Sequence, residues 1–349
     1  MRQLTYHEPG KLSWDDVPDP VLKGGEDAIV RPIAVTTCDL DNAVLVGNAP
    51  IPGPYAFGHE LVAEVIEIGD RVETFRAGDR VIVPFQIACG RCGRCMRGIT
   101  ASCERVPPRS MYGFGALGGE WGGAFSERLR VPFADAMLLR LRDALSPESV
   151  ASLSDNMPDA YRTVGPHLEE TPGAPVLIVG GGAPSIGLYA VAIAKALGAS
   201  RVDYIDRDKA RLALAESLGA KPIEGPPPRK AGEYPITVDA SANEDGLACA
   251  LRSVTPYGVC TSVGIYYGDT QVPLLDMYGR GVRFITGRAN ARADMPKVLA
   301  LVESKRFSPE HINTRVAPME HAIEVLLEGT MKPVFIAGSQ SPDTAHTSR

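Results

Sequence analysis

Several things are missing from this sequence. It has no run of basic residues, and acidic side chains outnumber basic ones by 42 to 36, for a formal net charge of −6. A polyanion would find little to hold, so neither nucleic acid nor an anionic membrane surface is an expected partner. A membrane-length apolar run is also missing. The most apolar window, Val176–Ala199, is interrupted by five glycines, Pro184 and Lys195, and reads as a buried strand–helix unit. The opening Met1-Arg2-Gln3-Leu4-Thr5-Tyr6-His7 has neither the apolar core nor the cleavage site of a secretory signal, so a cytoplasmic protein is expected. Nor is there a disulfide framework. Seven cysteines is an odd number, and four crowd between positions 89 and 103, a pattern that in a reducing compartment points to metal.

What is present is enough for a large core: 349 residues, 44% of them hydrophobic, with a length that suggests two domains. The chain is organised around Val176–Asp206. Val176-Leu177-Ile178-Val179 breaks into Gly180-Gly181-Gly182-Ala183-Pro184-Ser185-Ile186-Gly187, an alanine-rich helix follows, and Arg201-Val202-Asp203-Tyr204-Ile205 ends on Asp206. Strand, glycine turn, helix, strand and acid form a dinucleotide pattern: the turn and helix N-terminus (Gly180, Gly182, Ser185, Ile186, Gly187) offer N–H groups to a pyrophosphate, and Asp206 takes a ribose hydroxyl. The turn is longer than Gly-x-Gly-x-x-Gly, with four residues between Gly182 and Gly187. An α/β crossover without a ligand is the plain alternative.

Residues 1–90 read as β-rich and antiparallel, with strands near 28–35, 61–69 and 81–84. Cys38 and His59 sit where loops meet strands, beside the acids Asp39, Asp41 and Glu60. Cys89, Cys92, Cys95 and Cys103 follow a C-x2-C-x2-C-x7-C spacing that can wrap one ion tetrahedrally, as structural zinc requires; an iron–sulfur cluster is the rival occupant. Gly90 and Gly93 let the loop fold tightly, and Arg91, Arg94 and Arg97 are expected to offset thiolate charge. Ser146-Pro147-Glu148 predicts a helix start, continuing through Asp155 to Val164. A helix is expected over 207–219, and the proline-rich 222–235 as irregular surface. Further buried strands are expected at 236–240, 258–264, 282–286 and 333–336, and helices at 295–304 and 319–329. The tail from Gly338 to Arg349 is expected to be disordered. The domain boundary falls near Asn156, giving residues 1–155 with 291–349 as one domain and 156–290 as the other.

Taken in order, Cys38, Gly58-His59-Glu60, the four-cysteine loop, Gly122-Gly123 with Glu127, and the glycine turn resemble the zinc-containing medium-chain alcohol dehydrogenases, over roughly residues 25–340. The secondary-alcohol, threonine and polyol branch is the most similar. The resemblance implies an α/β fold in which a GroES-like, β-rich catalytic domain joins a Rossmann domain with a doubly wound parallel sheet. It implies two zinc ions per chain. Cys38, His59 and Asp155 would hold the catalytic one, with Glu60 beside it or exchanging onto it, and Asp41 would fix the histidine tautomer. The ion would act as a Lewis acid on the substrate oxygen while hydride passes between the carbinol carbon and the nicotinamide. Val263, Gly264 and Ile265 would approach the nicotinamide. Asp206 favours NAD, with NADP left open by the neighbouring Arg207. Relatives are dimers or tetramers joined through their nucleotide-binding domains, so a homo-oligomer is expected, acting on a small alcohol or carbonyl compound.

Two departures from the family stand out. The hydroxyl residue usually found two positions after the first cysteine is Leu40, and the relay histidine five positions after it is Ala43. The proton must therefore travel by Asp39, Thr37, Glu60 or water on the ion. The longer glycine turn is the second departure. Two other functions stay open: reduction of activated C=C or quinone substrates on the same fold, whose branch commonly lacks both zinc ions, and a non-catalytic nucleotide-binding relative.

Overall fold

Two β-sheets dominate the computed structural model, which describes residues 1–338. The expected disordered tail, beyond Gly338 itself, lies outside the described residues. The first sheet has seven strands, with residues 315–318, 333–336, 28–36, 60–68, 80–83 and 139–140 in that order, while 129–131 also pairs with 28–36. Its central pair, Ala28–Thr36 and Glu60–Ile68, is antiparallel with Val35 opposite Leu61. Alternate side chains on these strands point to opposite faces. Val35, Leu61, Val81 and Val83 enter the core of this half, whereas Ala34, Val62 and Ile82 pack into the core shared with the second sheet. Both faces are thus covered, which accounts for the strands being apolar almost throughout. A hairpin, Arg2–Glu8 and Lys11–Asp16, closes one side by pairing with Tyr55–Ala56.

The second sheet is wholly parallel, ordered 221–224, 202–206, 176–179, 234–239, 254–262, 283–285. Strand order reverses between 176–179 and 234–239, and in open α/β sheets ligands bind outside the carboxyl ends at that reversal. Three helices position the site. Helix α1 (Asp39–Leu45) follows the first long strand, α2 (Asn156–Glu170) leads into the parallel sheet, and α3 (Pro184–Ala196) leaves the glycine turn. Helix α3 is apolar on nearly every face because it is enclosed, with Ser185 to Ala194 all buried. Among the described residues, no helix is long and apolar enough to cross a membrane.

Three local expectations are corrected. The proline-rich stretch is not irregular from its start, because Lys221–Glu224 is a parallel strand with Pro222 opposite Tyr204. It is the edge of the sheet, where the missing proline N–H breaks no ladder bond. The helix expected across Ser146–Val164 is interrupted: a short turn at 147–150 and a 3-10 turn at 151–154 end at Asp155, whose backbone (φ −151°, ψ −74°) is not helical. The helix expected at 319–329 is a 3-10 turn followed by a short helix over 322–327.

Candidate active site

The site begins with a helix cap. Cys38 precedes α1 and its sulfur accepts the Leu40 N–H at 3.2 Å, while the Asp41 carboxylate accepts the Cys38 N–H at 3.0 Å. This reciprocal cap fixes both side chains with no packing partner needed. Asp41 uses its other oxygen to face His59, whose Nδ1 lies 3.5 Å away. His59 follows Gly58, which has φ +83° and lies so close to Phe125 that a Cβ there would sit 2.4 Å from the ring. The imidazole is flanked by Phe114 and Phe85, with ring centroids at 4.8 and 5.4 Å. Its Nε2 points the other way, 3.2 Å from Asp155 Oδ2.

Cys38, His59 and Asp155 therefore offer a sulfur, a nitrogen and an oxygen that all lie within 4.8 Å of one another. All three are buried. Burial, with some help from Asp159, pushes Asp155 up to about 8. Burial likewise raises Asp41 to about 6, although His59 opposes it, and carries the Cys38 thiol well above its usual range. The pocket by itself disfavours the charged forms of its own donors, and a divalent cation reverses that preference. The donor set fits zinc: three mixed N, O and S ligands with one position left for a substrate, and a carboxylate behind the histidine.

The second cluster is Cys89, Cys92, Cys95 and Cys103, whose sulfurs also lie within 4.8 Å of one another. Backbone N–H groups converge on them. Glu104 and Cys95 donate to Cys92 at 3.4 and 3.5 Å and hold that thiol down at about 6, while Cys89 and Arg105 donate to Cys103. Two of the arginines expected to offset thiolate charge are engaged elsewhere. Arg91 forms a two-pronged pair with Glu26, and Arg94 pairs with Glu104. Peptide dipoles take the role assigned to them.

The nucleotide half is arranged as follows. Asp206 ends strand 202–206, next to the strand at the sheet reversal, and lines a cleft with Gly180, Arg207, Arg211, Pro227, Ser241 and Asn243. Its Oδ1 accepts from the N–H of Arg207 and Asp208 and from Arg211, while Oδ2 accepts from the Tyr204 hydroxyl. A Cβ on Gly180 would meet Asp206 Oδ2 at 2.7 Å. Ser185, Ile186 and Gly187 form the first turn of α3. Val263 donates its N–H to the Asp239 carbonyl just past the strand end, Gly264 packs on Ala242, and Ile265 is half exposed.

Two residues of the site, Lys332 and Asn156, were not anticipated, and a third, Asp39, takes an unexpected position. Lys332 is fully buried and donates to the carboxylate of Glu60, to the Thr37 carbonyl and to Asn156 Oδ1. With further bonds from Ser152 and the Asn156 N–H, Glu60 is held outside the three-donor triangle. A lysine directly before the apolar Pro333-Val334-Phe335-Ile336 was the available signal. Asn156 touches Asp155 on one side and receives the Ser185 hydroxyl on the other, joining the two halves. Asp39 is turned away from the triangle toward α3, accepting from Ser185 and Ile186. Of the groups considered for the proton route, Asp39 and Glu60 are thus engaged, whereas the Thr37 hydroxyl is buried with no hydrogen-bond partner among the described residues.

Comparison with known proteins agrees with this geometry. Residues 24–142 match the family model of the alcohol dehydrogenase GroES-like domain, and residues 185–304 match that of the zinc-binding dehydrogenases. The formaldehyde dismutase of Pseudomonas putida is 30% identical over 343 residues, covering 82% of this chain and 84% of that one. The chain belongs to the zinc-containing medium-chain alcohol dehydrogenase family. Zinc-type alcohol dehydrogenase B of Aspergillus flavus, another relative, is 26% identical over 340 residues, covering 93% of this chain and 77% of its own. Among solved structures, the alcohol dehydrogenase TADH from Thermus sp. ATN1 superposes with a TM-score of 0.87 at 31% identity, covering 97% of this chain and 100% of that one. In this family of oxidoreductases, zinc and a nicotinamide dinucleotide are the cofactors.

Two outcomes are expected. Elemental analysis of purified protein should give two zinc per chain, with Cys92→Ser and His59→Ala each losing one; equal loss from both sites in either variant would mean that the clusters are not independent. Lys332→Met leaves Glu60 buried without its cation and should cost about 3–5 kcal/mol in chemical denaturation. Adding Glu60→Gln should restore part of that.

Proposed function

We propose that this chain transfers hydride between NAD(H) and an alcohol or carbonyl compound of the secondary-alcohol or polyol class, with one catalytic and one structural zinc. The observation that carries the reading is the Cys38, His59 and Asp155 triangle, one residue along the chain from the contact between Asp39 and the dinucleotide turn. When bound, zinc supplies a Lewis acid and the nicotinamide a hydride acceptor. The chain's own residues do the rest. Cys38, His59 and Asp155 would hold the ion, and the Asp41 carboxylate, 3.5 Å from Nδ1, would favour the histidine proton there and leave Nε2 to ligate. Phe85 and Phe114 shield the imidazole from water. Lys332 neutralises Glu60, so that carboxylate adds no unpaired charge beside the reacting atoms. Cys89, Cys92, Cys95 and Cys103 close the structural ion, which makes no contact with substrate in this scheme. Reduction of quinones or activated C=C bonds would leave both donor clusters without a purpose.

The coenzyme is proposed to be NAD, because a carboxylate at Asp206, which lines the cleft, suits a ribose hydroxyl and repels a 2′-phosphate. Val263, Gly264 and Ile265 are proposed to lie along the nicotinamide, and a cytoplasmic site of action is proposed. The domains are proposed to divide at 1–155 with 291–349, and 156–290. A homo-oligomer is proposed through the edge of the parallel sheet. Among the described residues its last strand, Arg283–Ile285, pairs on one side only, and Leu274, Leu275, Tyr278 and Tyr257 are exposed beside it, three of them by more than 80%.

The test is absorbance at 340 nm with zinc-loaded protein, NAD or NADP, and a panel of secondary alcohols and polyols. Turnover should be seen with kcat/KM for NAD at least about tenfold above NADP, the size of one lost charge repulsion of 1.4 kcal/mol. Cofactor binding without turnover on any alcohol or carbonyl compound would sink the proposal, and a preference for NADP would sink the coenzyme assignment. Light scattering should show a dimer or tetramer, and Leu275→Glu combined with Tyr278→Glu should shift it to monomer.

A further inference from the structure

The glycine turn has few donors to offer. The N–H of Gly180 is taken by the Ile205 carbonyl at 2.8 Å, that of Gly182 by the Ser241 carbonyl at 2.8 Å, and that of Ala183 by the Ala240 carbonyl at 2.9 Å. Pro184 opens α3 and has no N–H. The next two, Ser185 and Ile186, both donate to the Asp39 carboxylate at 3.1–3.2 Å, and the Ser185 hydroxyl donates to it at 2.8 Å. Asp39 is 7% exposed and reaches this position from α1, on the metal-binding half. A helix N-terminus after a glycine turn is where a phosphate group is bound by backbone N–H groups and the helix dipole. Here an anion of the chain itself fills that place, with two N–H groups and a hydroxyl arranged around it.

We propose that Asp39 is an internal competitor for the cofactor's pyrophosphate: it closes the cradle in the free protein, and a dinucleotide binds by displacing it. The inference rests on the dinucleotide reading above. Two anions cannot share these donors, since each would lose its hydrogen bonds and repel the other at close range. Displacement leaves no donor stranded: Ser185 already has a second acceptor in Asn156 Oδ1 at 3.1 Å, and the phosphate takes up the two N–H groups. The backbone of Asp39 is fixed by the Cys38 cap, so the carboxylate leaves by side-chain rotation or by a shift of α1. A shift would carry the neighbouring Cys38 with it.

Zinc-loaded wild type, Asp39→Ala and Asp39→Asn are compared by titration calorimetry with adenosine, ADP and NADH. Adenosine has no phosphate and reports on the Asp206 cleft alone. The expected result is that Asp39→Ala binds ADP and NADH at least tenfold more tightly than wild type, with Asp39→Asn between them and adenosine binding unchanged. Adenosine binding by all three, with ADP affinity in the variants equal to or weaker than wild type, overturns the proposal and leaves Asp39 a tie between the two halves. If Asp39→Ala loses zinc or melts early, the Asn variant decides by the same criterion. If neither adenosine nor ADP binds any of the three, the dinucleotide reading itself falls, and the proposal with it.

Discussion

Buried acidity is the constraint around which this molecule is arranged. Cys38, Asp39, Asp41, Glu60 and Asp155 all lie out of water between the two sheets, where an uncompensated carboxylate is strongly disfavoured. Each is answered differently. Glu60 has Lys332, Asp39 has the first turn of α3, and Asp41 has His59. Among the described residues, neither Cys38 nor Asp155 is paired with a lysine or arginine, and Asp155 shares His59 with Asp41. The donor triangle and the network around it are therefore one electrostatic arrangement, into which a divalent cation would fit.

The same network joins the halves. Asn156 begins α2, next to Asp155 of the donor triangle, and its amide meets Ser185 on α3. Asp39 crosses in the opposite direction, from α1 to the same serine. Through these two contacts the turn suited to a nucleotide and the residues suited to zinc are positioned by each other. Neither half could shift far without breaking a buried hydrogen bond, which costs about 1–3 kcal/mol per orphaned group.

The sequence made much of this legible, for physical reasons. Strands such as Val176–Val179 were found to the residue because an enclosed parallel strand leaves an unbroken apolar run. The four-cysteine loop was plain because its spacing is local. Cys38, His59 and Asp155 are scattered over more than a hundred residues, and only the resemblance to a family drew them together. Lys332 and the Asp39 contact escaped because each depends on a partner far along the chain, with no period or spacing to betray it. The strand at Pro222 escaped because an edge tolerates the residue that punctuation rules exclude. The break at Asp155 escaped because the helix signals on both sides of it are sound.

One feature of the metal-binding sheet bears on how the protein is made. Its strand Pro333–Ile336 lies against Ala28–Thr36 and is preceded by Lys332, so residues separated by some three hundred positions must meet before Glu60 has its counter-charge. The parallel sheet, by contrast, draws all its strands from one continuous stretch, 176–285. During synthesis the nucleotide half can therefore assemble on the ribosome while the metal-binding half still waits for its last strand. A nascent chain stalled before residue 332 would carry a finished scaffold and an unfinished centre, with its acids still held in water.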